Sequence, residues 1–220
     1  MSRPLWQRLA VPIVALLVVV IVATVVVGVG LTRRAFPQTS GELELAGLTG
    51  EVEVLRDAQG IPHIYADTAE DLFRAQGYVA AQERFFQMDL RRHVVSGRLA
   101  ELVGEGGVET DKVIRTLGWR RVAEQEWELL TPQSRGYFEA YAEGVNAYLG
   151  SREASQLGME YTVLGLVTEL AEIQPWNPID SLTWLKAMAW DLIDNYDEEI
   201  NRAATYQVLG ELERVEEVFP

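Results

Sequence analysis

The chain has 220 residues, 48% of them apolar, with a net charge of −14. Such a length suits one good-sized domain or part of a larger protein, and the apolar share is enough for a core. The acidic balance leaves no basic stripe to meet phosphates, so nucleic acid is not an expected partner; without cysteine there are no disulfides, no thiolate zinc site and no CxxC redox chemistry, and two histidines leave little for a histidine metal site.

Residues 1–8 form a short basic tail, and residues 9–32, "LAVPIVALLVVVIVATVVVGVGLT", carry no charge. A bilayer core needs about 20 such residues, whereas the apolar part of a cleaved signal runs to about 7–15 and ends at a small-x-small site. This run is longer and no Ala-x-Ala follows it, so a retained signal anchor is expected. Arg3 and Arg8 lie before it and Arg33 and Arg34 after it, so flanking charge alone does not orient it. The short tail and long acidic remainder favour an extracytoplasmic body. Residues 33–42 read as a linker, broken by Pro37, Ser40 and Gly41, and residues 43–220 as the folded part.

"GEVEVLRD" alternates as a strand does, "DAQG" is a turn, and "IPHIYA" is a second strand with Pro62 at its start, which together predict a hairpin. Thr68 and Asp71 resemble a capping box opening a helix, on which Leu72, Ala75, Val79, Phe86 and Leu90 share a stripe. Glu83 falls in that stripe and needs a cation, for which Arg84, Arg91 and Arg92 are the nearest candidates. His63 reads as an ordinary strand histidine and His93 as solvated. Further on, "RLAELVGEGGVETDKVIRTLGWRR" mixes short helix, glycine turn and loop before another helix. Thr131 and Pro132 then open a helix with Phe138, Tyr141, Val145 and Tyr148 inward and Gly150 at its end. After the connector "EIQPWNPIDS", a long helical pattern runs from Asp180 towards Gly210. The fold class expected is α+β, mostly helical with a small hairpin.

In an unbroken last helix, Leu185, Met188, Leu192, Tyr196 and Ala203 share one face with Glu199, while Asp194, Asp197 and Glu198 point elsewhere. A carboxylate in an apolar stripe calls for an arginine, a lysine or a hard metal such as calcium; a kink that releases it to water would serve as well. No Gly-x-Ser-x-Gly elbow, His-Glu-x-x-His or phosphate loop is present, so no catalytic constellation lies in this chain.

Five blocks in order carry a resemblance: "RDAQGIPHIYA", "LFRAQGYVAAQERFFQMDLRR", "YAEGVNAYL", "PWNPID" and "MAWDLIDNYDEEI". They resemble the start of the penicillin acylase (penicillin amidase) family of N-terminal nucleophile hydrolases, in the region of its small α chain. That resemblance implies a four-layer αββα fold shared with a β chain cut from the same precursor. It also implies a Ser, Thr or Cys nucleophile at the new β-chain N-terminus, whose α-amine serves as base, and oxyanion donors on that chain. No Ser-Asn-like junction precedes "ELERVEEVFP", so the nucleophile is expected on the β chain and no catalytic residue here.

The resemblance further implies hydrolysis of linear amides of N-acylated substrates, such as β-lactam antibiotics or N-acyl homoserine lactones. It assigns acyl contacts to Met188, Asp191 and Leu192, although Met188 reads equally as plain core. A structural calcium shared between the chains is implied, with Glu199 as its α-chain ligand. One departure stands out. The best-known penicillin G acylases carry Arg and Phe where Asp191 and Leu192 stand, so a carboxylate-bearing substrate would meet an anion. The alternative reading is a non-catalytic, membrane-anchored scaffold or binding relative that has lost the nucleophile.

Overall fold

The computed structural model describes residues 5–150, 152–192 and 195–219. Arg3 and Asp194, named above, lie outside them, as does the side chain of Arg8. The first helix, α1 (Leu5–Arg34), is followed by a hairpin of β1 (Glu53–Arg56) and β2 (Pro62–Tyr65). From Pro12 to Arg34, α1 is long and apolar enough to cross a membrane, a property that signal sequences share.

The hairpin pairs Glu53 with Tyr65 and Arg56 with Pro62 in antiparallel register. Its turn is built by Asp57, whose carboxylate accepts from the backbone N–H of Gln59 and of Ile61, each at 2.9 Å. Gly60 turns the chain at φ +82°, where a side chain would be strained. The backbone N–H of Ile61 beside it holds the Asp57 carboxyl below its ordinary value. His63 is exposed, with Nε2 3.4 Å from Asp57, as expected for an ordinary strand histidine.

Helix α2 (Ala69–Val95) begins as the capping signal predicts, with the Thr68 hydroxyl accepting from the Asp71 N–H. The Asp71 carboxylate does not complete the box. It is buried and turns to the preceding loop, accepting from the Thr49 hydroxyl at 2.6 Å and from the backbone of Thr49 and Gly50. Those bonds, the Thr49 hydroxyl foremost, lower its pKa and pin the loop before the hairpin to the helix.

Halfway along, Arg84 leaves helical geometry (φ −144°, ψ 27°), and the buried stripe slips there by one residue. Phe85, Asp89 and Arg92 are buried where the unbroken period predicts Phe86 and Leu90. Ahead of the kink Gln82 is buried in place of Glu83, which is exposed and pairs with Arg56 of the hairpin rather than with Arg84, Arg91 or Arg92. His93, read from its arginine neighbours as solvated, is 6% exposed, because the same slip turns it inward.

The Gly-bearing stretch resolves into α3 (Ala100–Val103), one 3-10 turn, α4 (Val108–Leu117) and α5 (Trp119–Trp127). Helix α6 (Pro132–Leu149) starts at Thr131, whose hydroxyl caps the Ser134 N–H with Pro132 in the first turn, and its C-cap is Gly150. Two short helices, α7 (Ala154–Leu157) and α8 (Met159–Leu164), lead to the connector, followed by α9 (Pro178–Leu192), α10 (Tyr196–Leu209) and α11 (Leu212–Glu216). The expected single helix from Asp180 to Gly210 is thus two helices. The face drawn across Leu192 and Tyr196 does not persist as one stripe.

Helices α2 and α6 form the heart of the fold, and their backbones touch. A Cβ built on Gly144 would overlap the Arg74 carbonyl, and one on Gly77 would overlap the Tyr141 carbonyl. Glycine inside a helix costs about 1 kcal/mol relative to alanine, so two at one crossing are kept for proximity. Ala81, Phe85, Ala142, Val145 and Tyr148 flank the crossing and join Leu157, Tyr161 and Trp176 in one core. In the complete gene product, Gly144→Ala should lower stability by about 3 kcal/mol or more, because the clash is with backbone and no rotamer relieves it. Denaturant unfolding checks this, with Gly136→Ala as a control at a helical glycine with open space around it.

Candidate functional site

The connector is held by side chains from three directions. Asn146 of α6 accepts from the Trp176 backbone N–H at 2.7 Å and donates to the Trp176 carbonyl at 2.9 Å, a two-bond clasp. Asn177 then accepts from the Ile179 N–H at 3.0 Å, while the Asp180 carboxylate accepts from the Asn177 N–H at 2.8 Å. With Pro178 between them, Asn-Pro-x-Asp is a reciprocal cap that starts α9.

Arg92 closes the assembly from α2. Its guanidinium, 3% exposed, donates to the Asp89 carboxylate at 2.6 Å, the Gln174 carbonyl at 2.7 Å and the Pro175 carbonyl at 3.1 Å. Asp180 lies 3.6 Å from it and also pairs with Arg120 of α5. Asp89 receives the Tyr161 hydroxyl at 2.5 Å, and its backbone carbonyl accepts from His93 Nδ1 at 2.7 Å. Burial alone would raise the Asp89 carboxyl; His93, the Arg92 charge and Tyr161 outweigh it and hold the pKa below its ordinary 3.8. The Tyr161 phenol is driven up, by burial first and then by the Asp89 charge. Sequence reasoning missed this network. The available signal was the i, i+3 spacing of Asp89 and Arg92 on α2.

The clamp aims α9, which carries the residues expected to bind substrate. Met188 is 44% exposed and Leu192 77% exposed, and Asp191 is exposed with them. Leu185, Trp190 and Tyr196 are also exposed, so this end of the chain presents an apolar surface rather than a pocket. Two ring contacts, Trp190 with Trp119 at 6.1 Å and with Tyr196 at 5.0 Å, tie α5, α9 and α10 together beneath it. Glu199, expected in an apolar stripe, lies in the first turn of α10 with its side chain 58% exposed. The break between α9 and α10 removes that stripe. Its cationic neighbour is Arg202, 3.9 Å away and one turn on.

Nearer the start of α9, an open cleft of 710 Å³ lies between α2, α6 and α9. Its walls include Phe73, Tyr137, Phe138, Tyr141, Trp176 and Trp184. Met188, Asp191 and Leu192 are not among its lining residues.

Residues 51–220 match the family model described as penicillin amidase, and the chain belongs to that family. It is 40% identical over 156 residues to the penicillin acylase 2 proenzyme of Pseudomonas sp. (strain SE83), a match covering 71% of this chain and 19% of that protein. The acyl-homoserine lactone acylase QuiP of Pseudomonas aeruginosa is 37% identical over 176 residues, covering 80% of this chain and 20% of the relative. The solved structure of a thermostable penicillin G acylase from Alcaligenes faecalis superposes with a TM-score of 0.61 at 30% identity, over 77% of this chain and 89% of that one. The chain spans about a fifth of the length of the curated relatives it matches.

Because its folded pKa is depressed, Asp89 contributes stability that is present above 3.8 and lost as pH falls through the lower folded value. Tyr161→Phe keeps the ring and removes one donor, so it should cost about 1.5–3 kcal/mol at neutral pH. It should also raise the folded pKa of Asp89, so that acid unfolding of the complete gene product begins at higher pH. Urea unfolding followed from about pH 6 to about pH 3 checks both effects; parallel curves for the two proteins would refute the second.

Proposed function

We propose that this chain is the helical α-chain portion of an amidohydrolase that cleaves linear amides of N-acylated substrates. Its relatives' names carry penicillin and acyl-homoserine lactone, which makes β-lactam antibiotics and N-acyl homoserine lactones the two candidate substrate classes. The observation that carries the reading is the exposed apolar end of α9 and α10, where Met188 and Leu192 stand open to solvent on a helix clamped at its other end. A surface so apolar asks for cover, and a β chain from the same precursor would supply it within a four-layer αββα fold. In this arrangement Met188, Asp191 and Leu192 form the α-chain wall of the acyl site, and the nucleophile belongs to the β chain. The N-terminal helix α1 is the membrane anchor, with the body extracytoplasmic.

The test is made on the complete gene product. Replacing the Ser, Thr or Cys at its processing junction by Ala should abolish both chain separation and amide hydrolysis, while wild-type membranes should retain processed enzyme through carbonate washing. Asp191→Arg separates the substrate classes. It should raise kcat/KM for a carboxylate-bearing penicillin by about tenfold over that for an uncharged N-acyl homoserine lactone, since about 1.4 kcal/mol of removed repulsion is one decade. Equal changes on both substrates would remove Asp191 from the site.

Calcium belongs to the same proposal, with Glu199 as one ligand. Calcium takes six to eight oxygens, and among the described residues no group of three or more Asp, Glu or His side chains gathers to hold an ion. In this reading Glu199 is one contributor to a site whose other oxygens come from the β chain. When bound, the ion would supply structural cross-linking of the two chains. Glu199→Gln in the complete gene product should reduce the calcium-dependent shift in Tm well below that of Glu198→Gln. Linkage sets the scale at about 2.7 kcal/mol when free calcium is a hundredfold above its Kd; an equal response to chelator in wild type and Glu199→Gln would end the assignment.

A further inference from the structure

We propose that the cleft between α2, α6 and α9 is a binding site for a small planar aromatic carboxylate, its ring held by the aromatic walls and its anion by Arg84 and Arg91. Volume and chemistry support this independently. At 710 Å³ the cleft falls within the range of small-molecule sites, and six aromatic side chains face it. Among the described residues, its charged lining side chains are Arg84, Arg91, Arg92 and Asp180. Arg92 and Asp180 are engaged with each other and with Asp89 and Arg120, which leaves two cations.

Arg84 bonds only to the amide oxygen of Gln87, at 3.3 Å, and Arg91 stacks on the Trp184 ring at 4.5 Å; neither has a carboxylate partner among the described residues. With 33 acidic residues in the chain, a net positive cleft runs against the overall charge. Stacking fixes the plane of the Arg91 guanidinium and occupies its face, which leaves the N–H edge free for a bidentate carboxylate. An aromatic body suits the walls because ring faces and edges of Phe73 and Tyr137, 4.9 Å apart, already meet at a tilt that a third ring can extend. The kink at Arg84 belongs to the same device. A regular helix would place residue 84 elsewhere on the cylinder, and the non-helical turn brings it to the rim shared with Met88 and Arg91.

The probe is 2-naphthoate, titrated at low ionic strength into the complete gene product and read by quenching of tryptophan fluorescence. Its neutral counterpart is 2-naphthalenemethanol. A saturable quench is expected for the acid, weakened at least tenfold in the Arg84→Gln/Arg91→Gln variant and at least fivefold by about 0.5 M salt. Arg121→Gln, on α5 away from the cleft lining, should leave the affinity unchanged, and Trp184→Phe should remove much of the signal. Equal affinity in the double variant, equal binding of the alcohol, or no saturable binding because another segment of the protein fills the cleft would each overturn the proposal. None of these readouts depends on amide hydrolysis, so the proposed activity and this site stand or fall separately.

Discussion

Much of this structure depends on what surrounds one guanidinium. Arg92 is a permanent charge almost fully removed from water, and such a burial persists only when every donor is met. The partners come from far apart in the sequence: Asp89 one turn away, two carbonyls of the connector, and Asp180 at the start of α9. Satisfying Arg92 therefore fixes where the connector lies and the direction in which α9 leaves it. Removing one side of such a buried pair typically costs about 3–5 kcal/mol, far above the worth of the surface pairs along α4 and α5.

The clamp and the glycine crossing divide the work. Gly77 and Gly144 bring α2 and α6 close enough for Asn146 to reach the Trp176 backbone, and Trp176 packs into the same core as Phe85 and Tyr161. Together they pack α2, α6, the connector and the start of α9 against one another. On either side the chain offers surfaces it does not cover itself. Val54, Leu55 and Tyr65 of the hairpin are exposed, as are Leu185, Met188 and Leu192. A two-stranded hairpin alone is at best marginally stable in water, so the Arg56–Glu83 pair that ties this one to α2 helps to hold it.

Local signals in the sequence predicted local structure well. Thr68, Thr131 with Pro132, Gly150, and the Asp57 to Gly60 turn each act through atoms within four residues, and each stands where expected. Errors arose where helical phase was carried across a break. One non-helical residue, Arg84, turned the second half of α2, exchanging Phe86 for Phe85 and drawing Asp89, Arg92 and His93 inward. The non-helical Asn195 ahead of α10 likewise dissolved the stripe that enclosed Glu199. The expectation for Met188, Asp191 and Leu192 rests on the family blocks alone, and the exposure of these residues was not legible in the sequence. The Tyr161 contact with Asp89 spans 72 positions, and nothing near Tyr161 in the sequence announces it.

The crossing of α2 and α6 also sets the room for engineering. Helix α6 carries two interior glycines, and replacing such residues by alanine is a common route to raising helix propensity. Only Gly136 has open space around its Cβ position, so that route has one stop in α6, worth about 1 kcal/mol at best. At Gly144 the hydrogen atom is the largest side chain the neighbouring backbone admits, and a library that treats the two glycines alike would lose the fold at one while gaining at the other.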